Sequence, residues 1–98
     1  MKVIIDLTIV PIGVGVSLSK YVAVCENILK DFGLTIQLHA NGTNIEGEWE
    51  DVFDAVKKCH LVLHEMGAPR ISTIIKLGTR IDREQTMDDK IKSVREKL

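Results

Sequence analysis

Read from the amino terminus, the apolar residues of this chain switch repeatedly between a spacing of two and a helical spacing. The order of those switches limits the folds open to it. Val3, Ile5, Leu7 and Ile9 alternate with Lys2, Asp6 and Thr8, a strand with one apolar face that Pro11 is expected to end. From about Ser17 the period lengthens. Tyr21, Val22, Cys25, Ile28, Leu29 and Phe32 fall on one helical stripe, with Gly33 as the stop. Ser17 or Ser19 is the expected N-cap. Residues 34–40 alternate again, Leu34, Ile36, Leu38 and Ala40 against Thr35, Gln37 and His39. An Asn-Gly turn at 41–43 then leads into a return strand over 43–49, so 34–49 reads as a β-hairpin.

A second helix is expected over about 50–66, with Val52, Val56, Cys59, Leu63 and Met66 as its inner stripe and Gly67 and Pro69 closing it. The fourth strand spans 70–80 and places Ile71, Thr73, Ile75 and Leu77 opposite Arg70, Ser72, Ile74 and Lys76. Thr86 and Asp89 have capping-box spacing ahead of Met87, Ile91, Val94 and Leu98, a short amphipathic helix. The predicted order β-α-β-β-α-β-α contains the ferredoxin-like βαββαβ unit. The expected architecture is α+β: one domain over residues 1–98, a four-stranded antiparallel sheet with two helices on one face, and a C-terminal helix.

That arrangement leaves the second sheet face bare. Asp6, Thr8, Gln37, His39, Asn44, Glu46, Ser72 and Lys76 would lie there with Ile4, Val10 and Ile74, a mixture suited to a partner or a ligand. Open strand edges need protection, and self-association would supply it.

Charge narrows the function. The net charge of −1 gives no electrostatic case for nucleic acid or an anionic membrane. One Trp, one Tyr and two Phe are too few for a stacking platform. Cys25 and Cys59 each fall in an apolar helical pattern, which reads as buried free thiols in a reducing, cytoplasmic setting. The opening "MKVIIDLTIVP" could mimic a short signal peptide, but Asp6 and Thr8 interrupt it and the alternation is strand-like. No apolar run approaches the roughly 18–20 residues of a membrane span.

Several clusters have chemical potential. "PIGVGVSLS" at 11–19 puts two glycines and two serines between the first strand and helix. It lacks the closing Gly-Lys-Ser/Thr of a P-loop and the third glycine of a dinucleotide fingerprint. It is either a turn with a helix cap or a backbone-lined loop for an anion or polar small molecule. His60 and His64 have the i, i+4 spacing of a zinc pair but no evident third ligand, and boundary histidines are the simpler reading. Glu46, Glu48, Glu50 and Asp51 surround Trp49. Glu50 and Asp51 suit a helix start, whereas Glu46 beside an aromatic face could hold a cationic or heteroaromatic ligand. Arg70, Lys76, Arg80 and Arg83 form a basic streak, either solvated charge or an anion contact.

Three of these stretches together resemble one family. Pro-x-Gly-x-Gly-x-Ser-x-Ser (11–19), Gly-Thr-x-x-Glu-Gly (42–47) and Arg-x-x-Thr-x-Ile-Lys (70–76) stand in the order found in the thiamine-binding protein family, and the likeness runs from about residue 3 to 95. The resemblance implies a ferredoxin-like fold, homodimers made by joining sheets, often homotetramers, and, for some members, binding of thiamine or its hydroxymethylpyrimidine portion. It implies neither a catalytic activity nor a cofactor. Placed on the motifs, Ser17, Ser19, Thr43 and Glu46 would hydrogen-bond an aminopyrimidine and Trp49 would stack on it. Glu46 would face a thiazolium, and Lys76 would be the anion contact. The leading expectation is thus a non-enzymatic cytosolic binder. An oligomeric structural or regulatory module, and an enzyme using Glu46 as acid–base group, are the alternatives.

Overall fold

The computed structural model describes all 98 residues. The elements are β1 (Lys2–Ile12), α1 (Ser19–Asp31), β2 (Thr35–His39), β3 (Gly42–Glu48), α2 (Trp49–Glu65), β4 (Arg70–Gly78) and α3 (Met87–Arg95). The sheet order is β2-β3-β1-β4, and every neighbouring pair is antiparallel. This is the expected ferredoxin-like α+β arrangement.

Alternation decides which residues meet. Ile5 stands opposite Ile45 on β3 and Leu77 on β4, and Leu7 opposite Thr43 and Ile75. Val3, Ile5, Leu7 and Ile45 are buried with Tyr21, Cys25 and Leu29 of α1 and with Val52, Ala55, Val56, Cys59 and Leu63 of α2. Each large aliphatic side chain enclosed there contributes about 1.5–3 kcal/mol relative to exposure. Asp6, Gln37 and Asn44 share a row on the opposite face, as their register requires.

Five local expectations are corrected. Pro11 lies inside β1, paired with Ile71; β3 leaves β1 after Leu7, so the last stretch of β1 has a neighbour on one side only and tolerates the missing N–H. Neither Ser17 nor Ser19 caps α1. Leu18 is the N-cap; its aliphatic side chain has no atom to offer the helix N–H groups and packs against the core instead. The hairpin turn is Ala40-Asn41, closed by His39 opposite Gly42, and no residue in it has positive φ. Met66 falls just past α2 and is exposed.

The fifth correction concerns the face expected to be bare. Gln37 shares a cleft with Asp88, Ile91, Lys92 and Arg95, and Ile4 shares another with Lys90, so α3 lies beside this face. Met87 is buried and Glu46 is only 8% exposed. The helix begins with the expected reciprocal cap: Asp89 N–H donates to Thr86 Oγ1 at 3.1 Å and Thr86 N–H to Asp89 Oδ2 at 3.0 Å.

The glycine loop is shaped by backbone geometry. Gly13 has φ of +90°, and a Cβ there would stand 2.9 Å from the Pro69 ring. The loop therefore seats against the α2–β4 connection, a contact a larger residue could not make.

Candidate functional site

β1 outruns the β2–β3 hairpin, and this mismatch opens a cavity. The stretch of β1 that β3 leaves uncovered, the hairpin tip and the first turns of α1 enclose about 340 Å³. Its walls are mostly apolar and include Leu7, Ile9, Leu18, Tyr21, Val22 and Leu38. Leu38 is on the helix side of β2, as expected, yet 61% exposed, because it faces this open space. The volume sits at the lower end of the roughly 300–1,000 Å³ usual for small-molecule sites.

One polar pair projects into this space. Thr43 Oγ1 donates to the Glu26 carboxylate, 3.1 Å from each oxygen. Thr43 is buried and Glu26 half-buried. At the rim, Thr8 Oγ1 donates to the Asn41 carbonyl at 3.0 Å, and Asn41 N–H donates to His39 Nδ1 at 3.3 Å. With Nδ1 accepting, the His39 proton belongs on Nε2, which stands 2.8 Å from Asp6 Oδ1. The tip of the hairpin is thereby tied to β1 by side chains where ladder pairing has ended.

The six residues singled out from the sequence do not come together. Thr43 lines the cavity. Ser17 and Ser19 are exposed on either side of Leu18, which does line it. Glu46 is three residues along β3 and points to the opposite sheet face, where Lys2 Nζ is 3.9 Å from its Oε2 and no donor bonds that oxygen. Trp49 opens α2 at the sheet's far end, its ring tilted against Phe53 with centroids 5.0 Å apart. Lys76 is exposed on β4 opposite Asp6.

Glu26 went unnoticed in the sequence. Its signal is there: four residues after Val22 and three before Leu29, it is a charge on the edge of the inward stripe of α1.

The other clusters have ordinary occupations. His60 Nε2 is 2.6 Å from Thr73 Oγ1 and His64 Nδ1 is 2.7 Å from the Ala68 carbonyl. Burial, with a smaller contribution from His64, pushes the His60 imidazole below its usual range. Arg80 pairs with Asp82 and donates to Gln85, and its guanidinium holds the Asp82 carboxyl down at about 2. The two thiols are free; Cys59 Sγ is 3.9 Å from the Cys25 carbonyl, and contact with the Cys25 thiol together with burial pushes the Cys59 thiol up. Only Cys25 lines the cavity.

Comparison with known proteins places the whole chain. The family model described as "Thiamine-binding protein" matches residues 5–95. A UPF0045 protein of Synechocystis is 57% identical over 94 residues, 96% of this chain and 78% of the relative. A UPF0045 protein of Eremothecium gossypii is 37% identical across 100% of this chain and 94% of its own length. Among solved structures, a hypothetical protein from Methanocaldococcus jannaschii superposes with a TM-score of 0.89 at 32% identity, covering 97% of each chain. No helix is long and apolar enough to cross a membrane.

Proposed function

The chain belongs to the thiamine-binding protein family, and from that premise we propose that it is a non-enzymatic small-molecule-binding protein of the cytosol. Its ligand is thiamine or the hydroxymethylpyrimidine moiety, held in the cavity between α1 and the β2–β3 hairpin. The observation that carries this reading is the pairing of about 340 Å³ of mainly apolar space with one carboxylate–hydroxyl couple, Glu26 and Thr43. A flat aromatic heterocycle with polar edges needs that combination: apolar walls for its faces and a few fixed polar atoms for its rim. Thr43 Oγ1 fills only part of the carboxylate's acceptor capacity and leaves the rest for a ligand. The two free buried thiols suit a reducing compartment.

Self-association belongs to the same reading. β2 and β4 each present an unpaired edge, and Ile74 on β4 is 67% exposed. A homodimer or homotetramer would cover both. The structural-module alternative keeps this association and drops the ligand.

A thermal-shift titration with thiamine, its phosphates and hydroxymethylpyrimidine, run beside a size measurement, separates these readings. A saturable rise in Tm that follows RT ln(1 + [L]/Kd) supports the binder. An oligomer of constant Tm at millimolar ligand overturns it and leaves the structural module standing.

A further inference from the structure

Resting on the cavity reading above, we infer that Glu26 is the residue that selects the ligand, and that it selects a heteroaromatic amine over the corresponding lactam. A carboxylate has about four lone-pair sites and no hydrogen to give. Thr43 Oγ1 supplies one hydrogen, shared between both oxygens, and no ion pair engages Glu26. The remaining lone pairs sit in a cavity whose walls are largely apolar. A half-buried charge of this kind accepts donors and repels acceptors.

The consequence for a ligand is specific. The amino group of an aminopyrimidine offers N–H donors, and a protonated ring nitrogen adds a charged one. The 4-oxo counterpart has a carbonyl oxygen in place of the amino group; its ring N–H can donate to one carboxylate oxygen, but its carbonyl then faces the other, acceptor against acceptor in a low-dielectric space. Sites built around a buried hydrogen-bonding group discriminate strongly because the mismatched partner leaves that group unpaired. Thr43 fixes the carboxylate plane from β3, so the selecting edge is carried by two elements and not by a mobile side chain.

The substitution Glu26→Gln removes the basis of that preference. The amide would keep an oxygen to accept from Thr43 and would gain an N–H₂ group. It would then present one acceptor and one donor, which complements a lactam edge as well as an aminopyrimidine edge.

The test is calorimetric titration of hydroxymethylpyrimidine and its 4-oxo counterpart into the wild type, Glu26→Gln and Val22→Trp. Val22 lines the same cavity one helical turn before Glu26, and tryptophan there fills the space while leaving the carboxylate in place. The expected result is a wild-type preference for the amino compound of at least about tenfold. Glu26→Gln should lose that preference, and Val22→Trp should weaken both compounds. If Glu26→Gln keeps the wild-type preference for the amino compound to within about twofold while Val22→Trp abolishes binding, selection by Glu26 is overturned and the cavity reading survives. If Val22→Trp changes nothing, or the wild type binds neither compound, the cavity reading falls and this inference with it. Should Glu26→Gln fail to fold, Glu26→Asp retains the charge but withdraws it. Weaker binding with the amino preference intact supports the inference, and unchanged affinity overturns it.

Discussion

Gly42 lies against the backbone of Leu7 so closely that a Cβ at position 42 would stand 2.7 Å from the Leu7 carbonyl oxygen. Thr8 Oγ1 and Asp6 Oδ1 would lie 3.0 and 3.1 Å from the same atom. The glycine of the Asn-Gly pair therefore serves strand contact, not turn geometry, since neither residue has positive φ.

Gly42→Ala should accordingly destabilise the protein by about 1–3 kcal/mol, the usual range for forcing atoms into filled space. Gly47→Ala should cost less, although its Cβ would meet Leu34 Cδ2 at 2.5 Å, because the obstacle is a side-chain terminus that can rotate. Urea unfolding of both variants checks the order. A larger loss at position 47 than at 42 would show that the β1 backbone at Leu7, and not the Leu34 side chain, is the softer neighbour.

Stability should fall as the pH drops through the usual histidine range. The folded-state imidazole of His60 has its pKa lowered, by burial first and by His64 second. A group of this kind binds fewer protons folded than unfolded below the unfolded value of about 6.5. The unfolding free energy thus decreases as pH falls from about 6.5 toward the lower folded value. His60→Gln, which can still reach Thr73, should flatten that segment of the curve. Denaturation midpoints collected between neutrality and mild acid, for both proteins, would expose the difference.

The start of α3 should respond to acid through Asp89. Its carboxyl accepts from the Thr86 backbone N–H, and this bond, with help from the Thr86 side chain, holds its pKa below the usual value of 3.8. A depressed carboxyl stabilises the fold above the unfolded pKa and loses that contribution as pH falls through the folded one. Thr86→Ala should weaken the helix by about 1 kcal/mol at neutral pH and reduce the acid sensitivity of α3. Amide exchange across 87–95 reads both effects, and unchanged protection in the variant would mean that Met87 packing alone holds the helix.

What was legible in the sequence is what alternation and local spacing encode. A strand slipped by one residue turns its apolar face outward, so Val3, Ile5 and Leu7 could only face the helices. Thr86 and Asp89 bond within one turn, and three residues of spacing suffice to announce them. The cavity was not legible, because it arises from a difference in length: β1 runs to Ile12 while β3 departs at Leu7. Neither strand records the other's end. Alternation did place Thr43 and Glu46 on opposite faces, yet their shared motif invites treating them as one site. Glu26 comes from α1, seventeen positions before Thr43, and only tertiary packing reveals that the two meet.

The two cysteines should differ in reactivity although both are buried. Cys25 lines the cavity and Cys59 does not. A small methanethiosulfonate reagent that reaches the cavity should therefore modify Cys25 first, while Cys59, wholly enclosed and with its thiol pKa raised, waits for larger openings of the fold. Peptide mass spectrometry over a time course gives both rates. Addition of a cavity ligand should slow Cys25 selectively, by occlusion, and leave Cys59 governed by global stability. Equal rates with and without ligand would mean that both thiols are reached only by unfolding. The cavity would then be closed to molecules even of reagent size, which bears directly on whether a pyrimidine can enter it.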